Sequence, residues 1–169
     1  MAHFYFSIYK GGSYTYNVNK AIDFADENAY KNQSWKCAEY VSRCLRAGGV
    51  NITIRPRCKE LIENELEQLE CVTKYKLTIE KNGSILPEKN KGKIGIGDVI
   101  AIYCDYCKKN IDGKPWTHVV MTGTISNGKP IQVYAHNNSY KNEAYYGFKS
   151  CGTCKSTNCE AYSFHFVHQ

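Results

Sequence analysis

No run in the 169-residue chain approaches the ~20 apolar residues that a membrane-spanning helix requires. The opening MAHFYFSIYK also lacks the basic and apolar regions of a secretory signal, which predicts a soluble protein made in the cytoplasm. A secretion system or cell lysis would be its route outside. There is no internal repeat, which excludes solenoids and propellers, no low-complexity tract, and no linker long enough to divide the chain. A single domain spanning 1–169 is the expectation. Concentrated charge is missing as well. The 22 Lys and Arg against 16 Asp and Glu leave a net +6 that is spread thinly, and the longest basic cluster, Lys89, Lys91 and Lys93, reads as a solvated loop. Nucleic acid is therefore not an expected partner. The chain is instead rich in tyrosine, with fourteen, and in cysteine, with nine. A domain of this size buries a core without staples, and an odd number of cysteines cannot all pair within one molecule. In a reducing compartment such a set reads first as metal ligands plus a reactive thiol.

Hydrophobic periodicity predicts helices first and strands after. An apolar lead (Phe4, Phe6, Ile8) and a turn at Gly11-Gly12 precede NVNKAIDFADENAY, where Val18, Ala21, Ile22 and Ala25 share a helical face and Asn17 is the cap. SWKCAEYVSRCLRAGG, residues 34–49, reads as a second amphipathic helix, with Tyr40, Val41, Cys44 and Leu45 inward and Gly48-Gly49 as its stop. RCKELIENELEQLECV predicts a third, with Leu61, Ile62, Leu66 and Leu69 inward. KYKLTIE then alternates as a strand, Asn82-Gly83 marks a turn, and residues 86–94 read as a mobile loop. Runs at 99–103, 118–125 and 131–136 predict further strands, and the tail AYSFHFV is expected to close the sheet. This is the α+β pattern, N-terminal helices packed on an antiparallel sheet.

Cys37 falls at the first turn of the second helix, where unpaired N–H groups and the helix dipole favour the thiolate, the form that attacks carbonyl carbon. A thiol nucleophile also needs a base and a group that orients the base. His118 opens one predicted strand, on a face shared with Val120 and Thr122. The next strand ends at His136 with Asn137 just beyond, and a hairpin across Asn127-Gly128 would bring the two strand ends together. Two further motifs, Cys104-x-x-Cys107 and Cys151-x-x-Cys154, have the spacing of a four-thiolate structural zinc site; disulfides or free thiols are the alternatives. Cys159 is left unassigned or as a replacement ligand. Cys44, Cys58 and Cys71 fall on apolar faces or at element ends, where packing explains them.

The order YTYNVNKAIDFADENAY, WKCAEYVSRCLRAGG, GDVIAIY, THVVMTG and YAHNNSYKN resembles the papain-like NlpC and CHAP superfamily of cell-wall amidases and peptidases, most of all its amidase-domain subgroup. The likeness covers about residues 14–142 and is weak between 49 and 93. It implies a papain-like fold with Cys37 as nucleophile and His118 as general base and acid. The orienting group it implies is His136 or Asn137, with the family's strand-end histidine favouring His136. Catalysis would need no cofactor, and any zinc would be structural. Asp98 of the Gly97-Asp98 pair is expected to be a turn residue. Lys36 stands where the family usually has an acid, and Ala38 where it is often polar. The implied activity is cleavage of an amide bond in peptidoglycan or another peptide by a phage lysin or secreted effector, for which an immunity or inhibitor protein is a further expected partner. A protease or deamidase of host proteins uses the same chemistry. The reading from another class is a zinc-braced, non-catalytic module that binds cell-wall polymer or nucleic acid.

Overall fold

The structure, a computed structural model, describes residues 4–9, 12–29, 31, 34–80, 83–110, 113–135, 140–144 and 159–166, with the backbone alone at 4–9, 12–15 and 140–144. It is mixed α+β. Phe4–Tyr9 (β1) and Gly12–Asn17 (β2) form an antiparallel hairpin, so the segment between the apolar lead and the first helix is extended. Val18–Asn28 (α1) follows at once because Asn17 caps it, its side chain accepting the Lys20 N–H at 3.0 Å. Cys37–Ala47 (α2) matches the second predicted helix, starting on the cysteine itself.

The third predicted helix is shorter than its periodicity. Cys58–Asn64 (α3) stops at Glu65, and a single 3₁₀ turn, Leu66–Gln68, continues. Glu65 ends the helix because its carboxylate is taken by the connection from α2: it accepts the Thr53 N–H at 3.1 Å and pairs with the Arg55 guanidinium at 2.6 Å. The break still leaves Leu61, Ile62, Leu66 and Leu69 buried.

Val72–Lys76 (β3) leads to a bridge between Ile79 and Ile85, and residues 86–94 then depart from the expected loop. Pro87–Asn90 (α4) is a short helix whose last residue is fully buried. The Asn90 amide donates to the carbonyls of Thr78 and Leu86 at 2.8 and 2.7 Å and accepts from the Thr78 N–H at 2.9 Å. These bonds tie the segment down. Val99–Cys104 (β4), Asp105–Asn110 (α5), Trp116–Ser126 (β5), Lys129–Ala135 (β6), Tyr140–Ala144 (β7) and Cys159–Phe166 (β8) complete the chain.

The larger sheet has the order β3-β8-β4-β5-β6-β7 and is antiparallel throughout. The tail strand joins the sheet as expected, and its place is an interior one, between β3 and β4. Alternation along β4 divides the core. Val99 and Ala101 join Cys37, Tyr40, Val41, Leu45, Leu61, Met121 and Phe164 on the helix-covered face. Ile100, Ile102 and Cys104 join Leu77, Ile85, Ile94 and Cys107 on the other face, which the segment from 77 to 94 and α5 cover. No helix of the described residues is long and apolar enough to cross a membrane.

Candidate active site

The site is built at the start of α2. The approach, Ser34 to Lys36, is extended and is strapped by Trp35, whose ring stacks on Phe24 of α1 at 6.3 Å and lies under the Arg43 guanidinium at 4.4 Å. Arg43 in turn holds Glu39 one helical turn back at 2.8 Å. Lys36 is the N-cap, with no side-chain cap bond, and the first helical hydrogen bond runs from the Tyr40 N–H to its carbonyl at 2.9 Å. The backbone N–H groups of Cys37, Ala38 and Glu39 precede that bond and point out of the helix end. Small residues at Ala21, Ala25 and Ala38 let α1 and α2 approach closely, and the Tyr40 hydroxyl locks them by donating to the Ala25 carbonyl at 2.6 Å. Cys37 is held by its helix at the interface of α2 and β5, with 6% of its surface exposed.

His118 reaches Cys37 through an irregularity. Simple alternation places His118 with Val120, yet Val120 packs into the far-face cluster while the His118 imidazole is near enough to Cys37 to favour its thiolate. The pairing of β4 with β5 slips here: Ile102 is opposite His118, but Tyr103 is opposite Trp116, which leaves Thr117 as an extra residue. Such a bulge re-aims a side chain. An aromatic group anchors the near side of the bulge, where Trp116 meets Tyr103, Tyr162 and Phe164 edge-on at 5.1, 5.5 and 6.1 Å.

Three neighbours favour ionisation of the Cys37 sulfur. The strongest influence is the thiol of Cys58 at the start of α3, with the two sulfur atoms 3.5 Å apart. Burial acts against ionisation, while the hydrogen bond and charge of His118 and the backbone N–H of Val119 favour it. Together they lower the Cys37 thiol below the ordinary cysteine value, which favours the thiolate. Cys58 is pushed up by the same contact and by burial, and remains the protonated donor. Cys44, further along α2, is held protonated by burial. Cys58 was assigned to packing by the sequence pattern. It lies twenty-one positions from Cys37, a separation with no spacing rule; the usable signal was that both cysteines open helices.

A cleft of about 380 Å³ opens on the Cys58 side, lined by Arg57, Cys58, Glu63, Lys114 and Trp116 among others. Cys58 lines this cleft, and Cys37 lies behind it, 3.5 Å away sulfur to sulfur. His136 and Asn137, the sequence-based candidates for the orienting residue, lie outside the described residues, as do Cys151 and Cys154. Cys104 and Cys107 are buried, Cys104 facing Cys159 across the β4–β8 ladder. Among the described residues no group of three or more His, Cys, Asp or Glu is placed to hold a metal ion.

Asp98 is more than a turn residue. Only 2% exposed, it accepts the N–H groups of Gly95 at 2.5 Å and Phe166 at 3.1 Å, and its carboxylate meets the His165 Nδ1 at 2.6 Å. Burial raises the Asp98 carboxyl against these partners, while Asp98 raises His165 above the ordinary imidazole value. The pair ties the entrance of β4 to the end of β8 and is separate from the Cys37 cluster.

No family model matches the chain, and no curated protein or solved structure is significantly similar to it.

Proposed function

We propose that the chain is a papain-like cysteine hydrolase that cleaves an amide bond, with bacterial peptidoglycan as the first-choice substrate. The observation that carries this reading is Cys37 at the first residue of α2 with the His118 imidazole near enough to favour its ionised form. A structural cysteine needs no such base. In the reaction, the Cys37 sulfur attacks the carbonyl carbon, and the oxygen takes up the negative charge next to the outward N–H of Cys37. The His118 imidazolium passes its proton to the leaving amine as the C–N bond breaks, which leaves a thioester. Neutral His118 then takes a proton from water, the hydroxide attacks the thioester carbon, and the acid leaves as the thiolate is restored. His136 or Asn137 would orient His118. Cys104 and Cys107, buried where β4 runs into α5, would with Cys151 and Cys154 hold a structural zinc.

Incubation with purified peptidoglycan, followed by mass spectrometry of the released fragments, tests the reading. New amine and carboxylate ends are expected from the native protein and none from Cys37→Ala. Retention of polymer without cleavage by either protein would favour the binding-module reading instead. Metal analysis of the purified protein tests the zinc. One equivalent of zinc released by a chelator is expected, and two mapped disulfides with no metal would overturn it.

A further inference from the structure

Outside the hydrolytic roles, Cys37 and Cys58 bring two thiols together at the starts of two helices. We propose that these two residues form a reversible disulfide, with Cys37 as the peroxide-reactive thiol and Cys58 as its resolving partner. The sulfur atoms are already 3.5 Å apart, and bonding needs them to close to about 2.05 Å, a movement of roughly 1.5 Å. Each cysteine is the first residue of its helix, at the end of α2 and α3 where the chain has most freedom to adjust. The two residues also differ in the way the chemistry requires. Cys37 is buried with its thiol lowered, and Cys58 is half-buried with its thiol raised and lines the cleft, the side open to a small oxidant.

In the first step the Cys37 thiolate attacks a peroxide oxygen. The S–O bond forms, the O–O bond breaks, and hydroxide leaves; sulfur has given two electrons to the peroxide, and Cys37 is a sulfenic acid. In the second step the Cys58 sulfur attacks the Cys37 sulfur. The S–S bond forms and the S–O bond breaks, and the departing hydroxide takes the Cys58 proton as water. A dithiol returns the two electrons and restores both thiols. The disulfide removes the nucleophile while it lasts, and it keeps Cys37 from the irreversible sulfinic state. The contact that lowers the thiol for attack thus also gives it a protected resting form, of use to a protein that leaves a reducing cytoplasm.

The test treats the native protein with hydrogen peroxide, blocks residual thiols and maps the peptides. A linked Cys37–Cys58 peptide is expected, with loss of Cys37 labelling by iodoacetamide and full recovery after dithiothreitol. In Cys58→Ser, and in Cys58→Ala as a second variant, Cys37 should stop at a sulfenic acid captured by dimedone and proceed to a sulfinic acid that dithiothreitol does not reverse. Absence of the linked peptide from the native protein would overturn the proposal. So would sulfinic acid forming at Cys37 equally fast in native protein and variants. None of these readouts needs a substrate. A protein that forms the disulfide yet cleaves no amide supports this proposal and overturns the hydrolase reading alone.

Discussion

A thiolate held by a neighbouring thiol, an imidazole and a backbone N–H stays a nucleophile far into acid. With the Cys37 thiol lowered, its alkylation by iodoacetamide should hold its rate to a lower pH than that of a free thiol, whose reactivity falls away below about pH 8.5. Cys58→Ala removes the strongest of the three influences and should move the inflection upward, leaving His118 and Val119 to hold the rest. An unchanged profile would mean that Cys58 does not act on the sulfur. His165 obeys the opposite sign. Asp98 raises its imidazole, so its contribution to stability is complete below about pH 6.5 and is lost as the pH climbs through the raised value. Asp98→Asn should therefore cost about 1.5–3 kcal/mol at about pH 6 and less at about pH 9. Urea unfolding at both values checks it, and an equal loss at the two would remove the imidazolium from the account. Cys37 was legible in the sequence because one helix pattern places it, and His118 because a strand pattern does. Cys58 and the Asp98–His165 pair were not, because each depends on elements far apart in the chain.

Elements kept their predicted identity where the burial pattern alone decides them, as in α1 and α2, and departed from it where one polar side chain overrides the pattern. Glu65 breaks a helix that periodicity continues, by taking up the Thr53 N–H and Arg55. The extra Thr117 interrupts the alternation of β5 immediately before His118, which no period-two count can foresee. Asn90 makes a pinned segment of a stretch whose composition reads as loop. Its amide serves both the N–H and the carbonyl of Thr78; the carbonyl keeps the Leu86 N–H at 3.1 Å, so Asn90→Ala leaves the Thr78 N–H without this partner and opens a void at a buried site. The expected cost is about 1–3 kcal/mol, read as a lower urea midpoint with faster proteolytic cutting between residues 86 and 94. Iodoacetamide labelling of Cys37 should keep its rate under native conditions, since this segment covers the opposite face of the sheet. A stable variant with the native cutting pattern would show that the short helix is not held by Asn90.

At the scale of the molecule, the sheet is completed out of chain order. The α+β class was readable from helical periods followed by strand periods, but the strand order was not, because alternation says which face a residue takes and nothing about its neighbour strand. Cys159–Phe166 is among the last described segments of the chain, yet it lies between β3 and β4, pairing with both. It also supplies core to both faces, Phe164 and Phe166 on the helix side and Ala161 on the other. Burial of the two phenylalanines alone contributes roughly 3–6 kcal/mol, a large part of the about 5–15 kcal/mol by which a domain is stable. Without β8, β3 loses its described partner, and Asp98 is buried without His165 or the Phe166 N–H. A chain ending at Asn158 is therefore expected not to fold, although it keeps both Cys37 and His118. Near-ultraviolet circular dichroism should show no fixed aromatic environment, and Cys37 should react with iodoacetamide as an ordinary thiol with the ordinary pH profile. If that shortened chain instead unfolds cooperatively and retains the acid-shifted labelling of Cys37, the interior position of β8 is not what holds the sheet and the site together.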